Sequence, residues 1–368
     1  MNANPIAFYA PLKSPDHDVP SGDRLMARSL ISCMKASGYA VETVSQLRVR
    51  LADPFDETNN AKLLESAEDE IERIGALWQK SGPPPCWFCY HPYYKSPDLI
   101  GPELCKTFNV PYVTAEASYS RRRTDGIWSL AQSKVLDAVN SAAVNVYFTE
   151  RDKQGLLEVA PTASLTKLAP FISPVKSSVR KNLRQPFQLL TVAMMRPGDK
   201  HESYSELAKA LSLIPELPWV LHVVGDGEML SEVHALFNHF PQDKIVWHGK
   251  QPYKNVARLY QNGYLYVWPG CGEAYGLAYL EAQSAGMPVV AYNIAGVPEV
   301  VDHKHSGVLV DKQDASAMGA AISHLLTDTE EHQRLSQNAK EHVLNKHSFK
   351  KASDTLHQIL SEAIGTER

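Results

Sequence analysis

Two glutamates, Glu273 and Glu281, lie in the stretch GCGEAYGLAYLEAQSAGMPVVAY at 270–292. The run before it, YLYVWP at 264–269, reads as a buried strand and PVVAY at 288–292 as the next, so the unit is strand, small-residue loop, helix, strand. A helix N-terminus in that position is an anion site, because its first N–H groups are unpaired and its dipole favours negative charge. Carboxylates close to it suit hydroxyls rather than a second anion. Glu273 precedes the helix and Glu281 is expected two turns in. The chemistry is that of a phosphate beside a polyol, the two ends of a nucleotide sugar.

Countercharge is available upstream. TVAMMRPGDKHES places Arg196 and Lys200 in a Pro-Gly loop after the strand FQLLTVAM at 187–194. Arginine offers a planar fork and lysine a mobile point charge, so the pair could clamp a diphosphate and neutralise it as a leaving group. The turn GDGE at 225–228, with Gly225, invites a dinucleotide reading, but the third glycine of G-x-G-x-x-G would fall on Leu230. Either a tight turn or a wall of the nucleotide pocket accounts for it.

The elements that must carry these groups follow from alternation. PIAFYA at 5–10, AVETVS at 40–45, CWFCYH at 86–91, PYVTAE at 111–116 and NVYFTE at 145–150 read as strands, with helices expected near 23–37 and 60–81. A second series adds WVLHVVG at 219–225, IVWHG at 245–249, YLYVWP and PVVAY, with helices near 203–213, 228–239 and 254–261. Such alternation gives parallel sheets covered by helices, with ligands outside the carboxyl ends of the strands. The fold class is therefore α/β, two facing doubly wound domains: 1–175, a linker at 176–186, 187–345, and a C-terminal helix in 346–368 expected to return to the first domain.

The 368 residues suffice for two cores, and a net charge of −4 gives no global nucleic-acid footprint. No run is long enough to span a bilayer and the N-terminus lacks a signal-peptide pattern, so a cytoplasmic location is expected, with peripheral membrane association left open. The five cysteines, at 33, 86, 89, 105 and 271, are expected as reduced thiols. Cys86 and Cys89 form a C-x-x-C, but strand alternation would turn their sulfurs to opposite faces and no further ligands cluster with them.

Six segments in order, RPGDK, VVGDGE, HGKQPYKNVARLYQNGYLYVWPG, EAYGLAYLE, AGMPVVAYNIAGVPEVV and SGVLVDKQD, resemble the donor domain of the family 4 retaining glycosyltransferases, of GT-B architecture. The resemblance implies that Glu281 holds ribose hydroxyls and that Glu273 contacts the donor sugar near the leaving phosphate. It implies further that the N–H groups of Tyr275, Gly276 and Leu277 meet the distal phosphate. Gly249, Lys250 and Pro252 would cradle the base, and Cys271, Gly272 and Ala274 would line the sugar. No metal and no cofactor are expected, since no D-x-D stands in a loop of this half and the cations come from side chains.

The first half departs from the family. Its opening loop, APLKSPDHDVPSGDRLMARS, offers only Gly22 beside the donor phosphates, and its proline-bearing stretch at 11–23 reads as a lid or part of the acceptor site. Asp23 reads as the N-cap of the next helix, a role compatible with an acceptor contact. His91, Tyr93 and Tyr94 are placed to face an acceptor, and Glu116 stands where the family often has a histidine near the anomeric carbon. Arg121, Arg122 and Arg123 form a basic patch suited to an anionic acceptor or to lipid headgroups. The implied activity is transfer of a sugar from a nucleoside diphosphate to a saccharide, lipid-linked or small-molecule hydroxyl with retention. A nucleotide-sugar epimerase, a sugar phosphorylase and a non-catalytic donor-binding protein are the alternatives.

Overall fold

The computed structural model describes residues 4–19, 21–51, 53, 56–119, 128–174 and 184–365. Arg121, Arg122, Arg123 and most of the 176–186 segment lie outside these. Two compact units are formed, Met1–Ala169 with Ala352–Arg368, and Pro170–Lys351.

In the first unit strands and helices alternate: β1 (Ile6–Tyr9), α1 (Gly22–Ala36), β2 (Val41–Thr43), α2 (Glu57–Ser81), β3 (Trp87–Tyr90), α3 (Gly101–Phe108), β4 (Tyr112–Ala115), α4 (Ser129–Ser141), β5 (Val144–Tyr147), α5 (Glu150–Leu157) and β6 (Leu165–Lys167). All neighbours pair in parallel, in the order β2-β1-β3-β4-β5-β6. A parallel sheet needs helical crossovers, which cover its faces. Accordingly β1, β3, β4 and β5 are buried along their whole length, and β1 and β3 read as unbroken apolar runs. The C-terminal part of α12 (Phe349–Ile364) belongs to this unit: Ser37 Oγ donates to Ser353 O at 3.0 Å, and Tyr39 OH lies 3.1 Å from Ser361 Oγ.

The second unit repeats the plan with β7 (Phe187–Val192), α6 (Asp199–Ser212), β8 (Trp219–Val224), α7 (Leu230–Leu236), β9 (Ile245–Gly249), α8 (Tyr253–Asn262), β10 (Leu265–Val267), α9 (Leu277–Ser284), β11 (Val289–Tyr292), β12 (Gly307–Val310), α10 (Ala315–Thr327) and α11 (Thr329–Lys346). Its order is β12-β11-β10-β7-β8-β9, again all parallel. Helix α7 is shorter than the expected 228–239, because Gly225–Glu228 form a turn before it. All five cysteines are buried and none is in a disulfide, Cys86 and Cys89 included.

Asp98 of the first unit is almost completely buried. It accepts from Trp87 Nε1 at 2.9 Å and Tyr112 OH at 3.0 Å, and from the N–H groups of Ile100 and Gly101 at 3.0 and 2.8 Å. One side chain thus fastens β3 and β4 to the start of α3. Asp98→Ala leaves these buried donors unpaired and is expected to destabilise the fold by about 3–5 kcal/mol. Urea unfolding measures it, and a loss below about 1 kcal/mol would show that water replaces the carboxylate.

Candidate active site

The order of the second sheet reverses between β7 and β10: the chain builds outward to β9 on one side, then to β12 on the other. Loops leaving two such strands at their carboxyl ends diverge and open a crevice. The loop after β7 carries Arg196, and the loop after β10 carries Glu273. Lys200 lies in the first turn of α6, not in the loop itself, and its Nζ pairs with Glu273 Oε1. Trp268 Nε1 donates to the same oxygen at 3.2 Å, and Lys200 Nζ sits 5.7 Å from the Trp268 ring centroid. The pair is largely shielded, with side chains 26% and 16% exposed. Arg196 is exposed and has no ion pair among the described residues.

The GDGE turn serves this loop. A Cβ at Gly225 would stand 1.8 Å from Ala193 O, and one at Gly227 2.2 Å from Met195 O. Both glycines let the β8–α7 turn lie directly on the backbone that leads to Arg196. Met195 N donates to Asp226 O at 3.0 Å and Met229 N to Met195 O at 3.1 Å. The backbone displays the tight turn.

Helix α9 begins at Leu277, capped by Gly276 at φ 77°, so its first N–H groups point out beside the Glu273 loop. Glu281 is therefore one turn into the helix, not two. Its Oε2 accepts from Tyr260 OH at 2.9 Å, and burial pushes its carboxyl up to about 7 despite that bond. Ala282 and Ala285 behind it are buried, as close packing of α9 requires. Cys271 is buried, its N–H donating to Ser203 Oγ at 2.9 Å, which ties the loop to α6. Gly272 and Ala274 are exposed, while Tyr275 is buried. Beyond β9, Lys250 and Pro252 are exposed and Gly249 has φ 62°. Next to them His248 Nε2 lies 2.8 Å from His222 Nδ1.

In the first unit the reversal falls between β1 and β3. His91 directly follows β3 and Glu116 directly follows β4, and both have left-handed backbones, φ 59° and 57°. A non-glycine residue pays for that conformation, and such strain concentrates at functional sites. His91 Nδ1 bonds Asp23 Oδ1 at 3.1 Å, and Tyr90 OH donates to Glu116 Oε2 at 2.7 Å. Ser21, not Asp23, caps α1, accepting from Arg24 N at 3.2 Å, which frees Asp23 for the histidine. Burial pushes the His91 ring down, yet the Asp23 bond and the Glu116 charge outweigh it and raise its pKa. Asp23 is lifted by burial, but the His91 hydrogen bond prevails and holds it low. Burial lifts Glu116 to about 7 against the His91 charge and the Tyr90 bond. Tyr93 stacks on His91 at 5.2 Å, and Tyr94 meets Tyr93 edge-on at 5.4 Å. The stretch at 11–23 is tied down: Arg28 Nε donates to Pro15 O and Arg24 Nη1 to His17 O, both at 2.6 Å. Gly22 opens α1 in the open, with nothing near its missing Cβ.

Residues 177–342 match the family model described as glycosyl transferases group 1. That segment is similar to the group 1 glycosyl transferases. A D-inositol 3-phosphate glycosyltransferase of Corynebacterium kroppenstedtii is 24% identical over 253 residues, 64% of this chain and 56% of that protein. An exopolysaccharide phosphotransferase of Streptomyces coelicolor is 31% identical over 190 residues, 50% of this chain and 19% of its own length. The chain spans about half the length of these curated relatives, or less. The Anabaena HepE structure in complex with UDP aligns with a TM-score of 0.73 at 14% identity, covering 97% of this chain and 100% of that one. The fold is the two-domain GT-B fold.

Within the matched segment Lys200 pairs with Glu273 beside the strand reversal, Arg196 lies in the loop after β7, and Glu281 lies one turn into α9. The sequence reading missed Trp268, Tyr260 and Tyr90, the donors that orient the three glutamates. Trp268 and Tyr90 stood at the ends of apolar strand runs, where an aromatic with a polar tip was the available signal.

Glu116, 8% exposed, gives a pH signature. Its folded pKa, about 7, exceeds the ordinary 4.5, so its contribution to stability is full below about 4.5 and is lost as pH rises through about 7. Glu116→Gln should therefore match the wild type near pH 4.5 and exceed it at pH 8, by up to about 3 kcal/mol. Urea unfolding at the two pH values checks this; an equal effect at both would count against it.

Proposed function

We propose that this chain transfers a sugar from a nucleoside diphosphate donor to an acceptor hydroxyl with retention of anomeric configuration. The observation that carries the reading is the gathering of two cations, a carboxylate and a helix N-terminus at the β7/β10 reversal. Arg196 is open to a diphosphate, Lys200 stands beside it, and the first N–H groups of α9 add a neutral anion contact that needs no proton. Glu273, oriented by Lys200 and Trp268, accepts hydroxyls of the donor sugar. Glu281, oriented by Tyr260, accepts those of the ribose, and the segment at Gly249, Lys250 and Pro252 meets the base. The UDP complex of HepE, of the same fold, supports a nucleotide donor.

In the transfer the bond from anomeric carbon to phosphate oxygen breaks, and the acceptor oxygen bonds that carbon from the same face. The departing phosphate oxygen takes the acceptor's proton, so no enzymic nucleophile is required. Developing charge on the diphosphate falls to Arg196, Lys200 and α9, which makes this step metal-independent. His91, Glu116 and Asp23, with Tyr93 and Tyr94, form the acceptor group of the first unit. The acceptor is a saccharide, lipid-linked or small-molecule hydroxyl, in polysaccharide or glycolipid assembly. No helix among the described residues is long and apolar enough to cross a membrane, and a cytoplasmic enzyme fits the sequence.

Thermal-shift screening of nucleotide sugars identifies the donor, since a ligand bound only by the folded state raises the midpoint. With that donor, Arg196→Ala and Lys200→Ala should each lower kcat about 10²–10³-fold, the cost of losing a transition-state donor. Near-wild-type turnover in both variants would remove the clamp. Anomeric proton couplings of the product should show the donor's configuration, and inversion would overturn the retaining mechanism. Glu281→Ala should raise KM for the donor more than it lowers kcat.

A further inference from the structure

Three metal-ligating side chains of the second unit meet outside the groups used above. Asp302 and His305 lie in the turn after the 3-10 segment Val297–Glu299, and His342 lies in α11. One ligand atom from each comes within 4.8 Å of the others. His342 is 6% exposed, and its Nδ1 is buried without a hydrogen-bond partner. Its neighbours determine that orphan. His347 Nδ1 lies 2.7 Å from Pro170 O, a carbonyl that can only accept, so this nitrogen carries the proton and His347 Nε2 presents a lone pair. His342 Nε2 is 3.1 Å from His347 Nε2, so the His342 proton sits there. A neutral imidazole has a single N–H, and Nδ1 of His342 is left with a lone pair and no donor. Burial, then His347 and Lys346, push the ring's pKa down to about 4, consistent with a neutral ligand.

We propose that Asp302, His305 and His342 bind one divalent transition-metal ion of the zinc type, which pins the 302–306 turn to the end of α11. Two imidazoles and a carboxylate favour Zn²⁺ or Co²⁺ over Mg²⁺ and Ca²⁺, which take oxygen ligands. A carbonyl bound to one imidazole, itself bound to a second, is the outer support that fixes the tautomer and aim of a metal-bound histidine. The turn is already shaped: His305 N and Ser306 N donate to Asp302 O at 3.0 and 2.8 Å, and Asp302 N donates to Ser306 Oγ at 3.0 Å. His305 is half exposed, so water completes the coordination. Lys346 Nζ stands 3.6 Å from Asp302 Oδ2 and is 61% exposed, able to swing into solvent when the ion takes the carboxylate.

Calorimetric titration of Co²⁺ and Zn²⁺ into the chelator-treated full chain, with the visible spectrum of the Co²⁺ form, tests the site. The wild type should take up one equivalent with a Kd in the micromolar range or below. Asp302→Asn and His305→Ala should each weaken binding tenfold or more, and the double variant should abolish it. Both residues are partly exposed, so the metal-free thermal midpoint should stay at the wild-type value and a folding defect is separable. Absence of stoichiometric uptake by the wild type would overturn the proposal. So would unchanged affinity in the folded double variant, which would place the ion on other histidines.

Discussion

Lys200 and Glu273 face each other across the two strands where the direction of the second sheet reverses, and that ion pair joins the start of α6 to the loop after β10. Each charge alone would be partly desolvated, at a cost that neither loop is built to bear. Paired, and backed by Trp268, they hold the start of α6 against the loop after β10. That contact leaves Arg196 as the exposed cation at the edge of the crevice. It also explains why one oxygen of Glu273 is committed while the carboxylate as a whole can still accept from a ligand.

The rest of the second unit serves the same junction. Gly225 and Gly227 bring the β8–α7 turn onto the backbone preceding Arg196, and Ser203 of α6 fastens Cys271. The Arg196 loop is therefore hydrogen-bonded from beneath by a neighbouring turn, and precise placement of charge needs such rigidity. The first unit uses a different device at its own strand ends. His91 and Glu116 are held in left-handed conformations, the imidazole bonded to Asp23 and the carboxylate to Tyr90, and burial pushes the Glu116 carboxyl up to about 7. In one unit a cation is left exposed after a strand; in the other, an imidazole and two carboxylates stand at strand and helix ends.

Much of this was legible from residue types. YLYVWP and PVVAY announced strands buried on both faces, and the alternation of strands with helices implied parallel sheets, because an unbroken apolar run between turn signals has few other uses. Arg196 and Lys200 were singled out by their position after a strand. Boundaries were less legible: Lys200 proved helical, Glu281 lies one turn into α9, and Ser21 displaced Asp23 as the cap of α1. Helix starts are decided by a single dihedral or cap bond, which local sequence specifies weakly.

By itself the sequence determined the parallel α/β class, the presence of a helix behind the glycine loop at 270–276 and the identity of the charged groups, since these follow from local periodicity and side-chain chemistry. Only the tertiary structure decided which groups meet. Lys200 and Glu273 are 73 positions apart, and Tyr90 reaches Glu116 from another strand. Asp302, His305 and His342 show the same limit, for no spacing motif links them and His342 is aimed by His347 and the carbonyl of Pro170. Strand order and helix packing bring distant positions together, and contacts of that range leave no periodic trace in the chain.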